Sequence, residues 1–238
     1  MRIVVFHDEP DLLEKIRANL QPEHSCHFYA DAVSLLKAFR RETFDLFIAG
    51  RDLPGIDGIE VIQRVREMTG QQLPILVVTD SSHECDVIEA LASGADDYMV
   101  KPVRTGELAA RVSALLRRAH PRALSEQLVF GPYRFDAEQR NLTLRGELIS
   151  LNNREYDLAL FLFRNAGRLL SRGHLREAAW GEYSKAPSRS IDTHISRLRT
   201  RLCLTPDNGF TIHAFYGTGY RLDGAGLMRT GLSPRRYR

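Results

Sequence analysis

The chain has 238 residues, 43% hydrophobic and 26% charged, with a formal net charge of +3, a balance that excludes general disorder and has room for two ordinary domains. No run approaches the roughly eighteen uninterrupted apolar residues of a membrane helix, and the opening MRIVVFHDEPD turns acidic too early for a secretory signal, so a cytoplasmic address without a membrane partner is expected. Cys26, Cys85 and Cys203 are odd in number and widely spaced, unlike a disulfide framework.

In chain order, RIVVF (2–6) predicts a buried strand, and EPDLLEKIRANL a helix with Leu12, Leu13, Ile16 and Leu20 near 3.6-residue spacing. CHFYA (26–30) predicts a strand and DAVSLLKAFRRE (31–42) a helix capped by Asp31. FDLFIA is the third strand and 58–68 the third helix; LPILVVT (73–79) and 84–94 repeat the pattern, with Gly94 as the helix stop, and DYMV (97–100) and 105–119 complete it. Five strand-then-helix repeats imply a doubly wound, five-stranded parallel sheet with helices on both faces, whose reacting groups sit beyond the C-terminal ends of the strands. The pattern breaks at HPRALSEQ (120–127), a linker. Short strands with Gly turns at 131 and 146 follow. Next come an N-x-x-E capping box at Asn152 and Glu155 before a helix closed by Gly167, a helix from N-cap Ser171, a helix over 189–202, and a hairpin over 209–222 turning on GTG. The end, 225–238, lacks a periodic core face and reads as a disordered basic tail.

Charge divides with the pattern. Residues 1–120 hold 14 basic and 19 acidic side chains, residues 121–238 hold 19 and 11, so the second half alone suits a polyanion. On helix 189–202, Ile191, Ile195, Leu198 and Leu202 form an apolar stripe, while Arg189, Thr193, Ser196, Arg197 and Arg199 project elsewhere. A helix with Arg, Thr and Asp on its free face, followed by a hairpin, suits the major groove of double-stranded DNA.

The phrases DLPGIDG, GADDYMVKP, LNNREYDLALFLFRNAGRLLSRGHL, SIDTHISRLRTRL and GTGYRL resemble, in order and spacing, the response regulators of OmpR/PhoB type over residues 1 to about 224. The resemblance implies a flavodoxin-like receiver domain over 1–119, the linker 120–127 and a winged helix-turn-helix α+β domain over 128–224. It places Asp192, Thr193 and Arg197 against bases and Arg189, Ser190, His194, Ser196 and Arg199 against phosphates. Ser196 and Tyr216 stand where many relatives carry arginine, which weakens the phosphate contribution to binding. The segment 181–188 corresponds to the loop that faces RNA polymerase.

A receiver of this kind moves a phosphoryl group from a histidine kinase to an Asp at the end of the third strand, with Mg²⁺ held by that Asp and an acidic pair after the first strand. Lys101 and Thr79 match the family's conserved pair, and Tyr98 its switch aromatic. His7 replaces the first carboxylate of the pair, Asp8 keeps the second, and the acceptor position falls on Gly50. Glycine has no nucleophile, so the resemblance combined with this departure implies a pseudo-receiver with no catalytic group, resident metal or cofactor. Asp52, two residues along, is the alternative acceptor, and Asp57 reads as a helix cap. The dimer face of the family corresponds to charge pairs of Asp97 with Arg111 and Asp96 with Arg118, and to Glu107, whose usual partner falls at Val87. The expectation is a sequence-specific DNA-binding transcription regulator, not an enzyme, acting independently of Asp phosphorylation. It would form a homodimer through the receiver, meet RNA polymerase, and answer to an unidentified protein or small-molecule effector.

Overall fold

The computed structural model describes all residues except 22, 54–55, 122, 124–127, 182–188 and 225–238, and the backbone but not the side chains of 52, 53, 56, 189 and 190. Residues 182–188 of the loop expected to face polymerase, and the basic tail, lie outside the described residues. The chain divides into two compact units, Met1–Pro121 and Arg122–Arg238.

The first unit runs β1 (Arg2–Phe6), α1 (Pro10–Leu20), β2 (Ser25–Tyr29), α2 (Ala32–Arg41), β3 (Leu46–Gly50), a two-residue pair β4 (Asp52–Leu53) and β5 (Ile56–Asp57), α3 (Gly58–Thr69), β6 (Ile75–Thr79), α4 (Glu84–Ala92), β7 (Asp97–Val100) and α5 (Thr105–Ala119). The main sheet is parallel in the order β2-β1-β3-β6-β7, the doubly wound arrangement. Successive strand residues point to opposite faces. Ile3, Val5, Ile48, Leu76 and Val78 join α1 and α5 in one core, and Val4, Phe6, Phe47, Ala49 and Val77 join Leu35 of α2, the apolar face of α3 and Ala90 in the other. Both faces being covered, the strands read as unbroken apolar runs. Asp31 accepts from Ser34 N and Asp57 from Ile59 N, so both expected caps form.

The expected linker begins at His120, the residue after α5. His120 is buried, and its Nε2 lies 2.7 Å from the carbonyl of Asp45, which extends the first unit past the end of α5.

The second unit opens with an antiparallel sheet, β8 (Val129–Phe130), β9 (Tyr133–Asp136), β10 (Asn141–Leu144) and β11 (Glu147–Ile149). Helices α6 (Asn153–Arg164), α7 (Arg172–Trp180) and α8 (Arg189–Arg201) follow, with β12 (Leu170–Ser171) before α7. β13 (Phe210–Phe215) and β14 (Gly219–Gly224) close the chain as a hairpin paired to β12. The capping box forms in full: Asn152 accepts from Glu155 N, and Glu155 accepts from Asn152 N. The Glu155 carboxylate also takes Arg201 at 2.7 Å, which ties the start of α6 to the end of α8. Ile191, Ile195, Leu198 and Leu202 are all buried, as their spacing requires. β12 escapes sequence reading because two residues carry no periodicity. Its pairing depends on Gly219, where a Cβ would come within 2.0 Å of the Leu170 carbonyl.

Candidate functional site: a receiver cleft and a nucleic-acid interface

Five of the receiver site residues read from sequence lie at or just beyond the C-terminal end of a strand, His7 and Asp8 after β1, Gly50 ending β3, Thr79 ending β6 and Lys101 after β7, while Tyr98 is the second residue of β7. The space above Gly50 is filled by His7. A Cβ placed on Gly50 would lie 2.8 Å from His7 Cδ2, 3.2 Å from its Nε2 and 3.3 Å from the Phe6 carbonyl. Real Cβ atoms do not approach to 2.8 Å, so the absent side chain at 50 and the imidazole at 7 fit each other.

His7 is buried, and its Nδ1 accepts the amides of Asp8 at 3.0 Å and Glu9 at 3.1 Å. A nitrogen that accepts two N–H groups carries no proton, so the ring is neutral with its hydrogen on Nε2. Burial, and after it Lys101, lowers the His7 pKa below 6.5, and burial does the same to His24. The unfolded chain therefore binds more protons than the folded one between the folded-state pKa and 6.5. The stability contributed by neutral His7 is complete above 6.5 and declines as the pH falls from there toward the folded-state pKa. Thermal unfolding of the first unit is expected at lower temperature at about pH 5.5 than at about pH 7.5, with a smaller difference in His7→Gln; an unchanged difference would show that His7 is not part of the titration.

Lys101 is held by Glu9 Oε2 at 2.5 Å and Asp80 Oδ2 at 3.1 Å. Burial acts to lower its pKa, but the two carboxylates outweigh that and raise it. Neither acid is legible from sequence, because Glu9 lies 92 positions and Asp80 21 positions from Lys101. The only local hint was that Glu9 completes the acidic run after β1. Thr79 is buried, with Oγ1 accepting from Ser81 N at 3.2 Å, and Tyr98 donates its hydroxyl to the Ser81 carbonyl at 2.9 Å.

Mg²⁺ is a hard cation that collects several oxygen ligands. Among the described residues the cleft offers it the exposed carboxylate of Asp8, a His7 lone pair already given to two amides, and no side chain at 50. Glu9 and Asp80 are engaged by Lys101. This donor set does not fit the ion, and His7 cannot serve a transition metal through Nδ1 either. The side chain of Asp52 lies outside the described residues.

Of the dimer-face residues, Asp97 and Arg111 pair within the chain, with Arg111 NH1 2.9 and 3.0 Å from the two carboxylate oxygens, and Glu107 takes the same guanidinium at 2.8 Å. The Asp96 and Arg118 pairing is not present within the chain. Asp96 is claimed internally by Arg66 NH2 at 2.5 Å and Ile75 N at 2.8 Å, and Arg118 donates to the Ala114 carbonyl.

On α8, Thr193, Ser196 and Arg197 are exposed and lie opposite the buried stripe; the side chains of Arg189 and Ser190 lie outside the described residues. Asp192 is exposed as well, and His194 and Arg199 are half-buried; all three have partners on neighbouring elements. Asp192 Oδ1 accepts from the Tyr220 hydroxyl at 2.6 Å and Arg172 Nε at 3.0 Å. Burial would raise its pKa, but these two donors lower it. His194 packs edge-on against Trp180, ring centroids 4.9 Å apart, with a buried Nδ1, and burial lowers its pKa. Arg199 donates to the Ile212 carbonyl at 2.8 Å and sits over the Tyr220 ring. Tyr216, at the hairpin tip, is fully exposed. Arg172, missed from sequence, sits where α7, α8 and β14 meet; its only signal is its place beside N-cap Ser171.

Residues 3–113 match the family of response regulator receiver domains, and residues 146–222 the family described as transcriptional regulatory protein, C terminal. The sensory transduction protein RegX3 of Mycolicibacterium smegmatis is 33% identical over 227 residues, covering 93% of this chain and 99% of its own. The phosphate regulon transcriptional regulatory protein PhoB of Rhizobium meliloti is 36% identical over 231 residues, covering 93% and 98%. Among solved structures, the response regulator DrrB of Thermotoga maritima, an OmpR/PhoB homolog, is 28% identical and covers 94% of this chain and 99% of its own, at a TM-score of 0.45. With a parallel five-stranded first unit, a winged-helix second unit and these relatives along nearly its whole length, the chain belongs to the OmpR/PhoB family of response regulators, two-component transcription regulators with a DNA-binding effector domain.

Proposed function

We propose that this regulator works without phosphorylation of an aspartate: Gly50 stands at the acceptor position, and the receiver serves as a fixed protein-binding body. The observation that carries this reading is the imidazole of His7 lying in the space where an acceptor side chain would stand. Among the described residues the cleft also lacks the oxygen donors Mg²⁺ needs, and phosphoryl transfer depends on a correctly placed nucleophile and charge neutralisation. Intact-mass measurement after incubation with acetyl phosphate and Mg²⁺ tests it. The expected result is an unchanged mass. A phosphorylated species that disappears in Asp52→Asn would instead establish the substitute acceptor and sink this reading.

In this reading the protein is a cytoplasmic homodimer that binds double-stranded DNA and meets RNA polymerase, its activity set by abundance or by an effector at the receiver. Ile88 and Leu91 of α4 and Val100 of β7 are exposed apolar side chains, next to the Asp97, Arg111 and Glu107 network, and they supply apolar area for such a dimer. On the DNA side Asp192, Thr193, Ser196 and Arg197 are the exposed α8 residues among those that the resemblance sets toward bases and phosphates. Asp192, His194 and Arg199 chiefly hold the interface in shape, and Tyr216 can lie against sugars. Arg197→Ala is expected to weaken specific binding by about 1–3 kcal/mol, read by titration at fixed salt. Equal affinity for the specific site in wild type and variant would remove Arg197 from the interface.

A further inference from the structure

Arg51 follows Gly50, and its side chain crosses to α4. NH1 donates to the Asp86 carbonyl at 2.9 Å, while NH2 lies 3.1 Å from Asp86 Oδ1 and 2.6 Å from Glu89 Oε2. The Arg51 side chain is 14% exposed and that of Asp86 24%, so the bonds to Asp86 are partly shielded from water, while Glu89, 54% exposed, completes the clamp at the surface. Its own backbone is pinned: β3 pairs Gly50 with Val78 of β6, and Gly58 N donates to the Arg51 carbonyl at 2.9 Å.

The far side of the clamp continues inward. Asp86 accepts a short hydrogen bond from the Ser81 hydroxyl; the Ser81 carbonyl accepts from Tyr98, and the Ser81 amide donates to Thr79. One connected set of bonds thus runs from the end of β3 through α4 to Thr79 of the cleft and to Tyr98, the aromatic that the resemblance assigns to switching. α4 has little else to hold it. Ala90 is its one buried residue among those described, against six on α3 and four on α5.

We propose that Arg51 is the positioning residue of α4: an internal cation joins the end of β3 to α4 and fixes the α4 face in one arrangement, in place of any transferred group. The proposal rests on the phosphorylation-independent reading and adds the residue that makes the face permanent. A guanidinium suits this role because its planar fork presents two separate nitrogens, NH1 to the carbonyl and NH2 to the two carboxylates, where a lysine has one.

Hydrogen exchange read by mass spectrometry on the full chain tests it, using wild type, Arg51→Gln and Arg51→Lys. In Arg51→Gln the amides of residues 86–92 are expected to exchange at least tenfold faster, with those of β1 and α5 unchanged. Arg51→Lys, keeping the charge without the fork, falls between the two, and the dimer dissociation constant from sedimentation rises in the same order. Unchanged α4 exchange in Arg51→Gln overturns the proposal, and so does a uniform rise across the first unit, which would mark general destabilisation. Acetyl phosphate labelling of the wild type is run in parallel. Labelling would defeat the parent reading, whereas an unlabelled protein whose α4 ignores Arg51 would defeat this one alone.

Discussion

Gly50→Asp alone is expected to yield a less stable protein that acetyl phosphate still fails to label, whereas His7→Asp combined with Gly50→Asp gains a phosphoryl group. The reason is steric before it is chemical. The first atom of a side chain at 50 meets His7 at 2.8 Å, with the Phe6 carbonyl at 3.3 Å on another side, so the new carboxylate is added to filled space. Overpacking of this kind costs about 1–3 kcal/mol. Replacing His7 by Asp vacates the site and returns an oxygen ligand for Mg²⁺ at the same time, beside Asp8 and a Lys101 that is already present. The two substitutions should therefore be coupled, with a non-additive term of about 0.5–3 kcal/mol in stability and labelling confined to the double variant. Labelling of Gly50→Asp alone to the same extent would show that the imidazole moves aside freely and is no obstacle.

Phe163→Ala is expected to cost the second unit about 3–5 kcal/mol, and with it specific DNA binding at growth temperature. Phe163 is buried at the centre of an aromatic cluster, its ring 4.9 Å from Tyr133 and Phe210, 5.3 Å from Phe135 and 5.4 Å from Phe130. It thereby joins α6 to both sheets of the unit. Tyr133 cannot fill the gap, since its hydroxyl is bound to the Leu202 carbonyl at 2.8 Å and burial pushes its pKa up to about 12. A domain stable by some 5–15 kcal/mol loses much of its margin. Trp180, the single tryptophan, lies in this unit and reports its denaturant transition; a midpoint close to wild type would show that the cluster repacks.

How far the sequence reaches depends on the range of the interaction. Parallel strands buried on both faces are legible as continuous apolar runs, and Asp31, Asp57, Asn152 with Glu155, and Ser171 announce their helices because a cap is decided within three residues. The two-residue strands β4, β5 and β12 exist only through their partners and leave no pattern. The same holds at the sites. His7 and Gly50 are visible as departures from a motif, but that one fills the void left by the other is a contact between β1 and β3. Glu9 and Asp80 on Lys101, Arg66 on Asp96, and Arg172 on Asp192 join distant positions, and each changes what a residue is available to do. A helical projection of α8 shows Asp192 and Arg199 off the apolar stripe, but it omits the hairpin and α7 beside them and so the partners those side chains take.

The bonds made by Asp192 and Arg199 have a consequence for the DNA. Asp192 is fastened to Tyr220 on β14, and Arg199 to Ile212 on β13, so both hairpin strands are moored to α8, the helix that the proposed function sets in the groove. Helix and hairpin then act as the fixed jaws of a caliper. A duplex whose grooves match the gap binds without distortion, while one that must widen or twist carries the elastic cost itself, at base pairs the protein never touches.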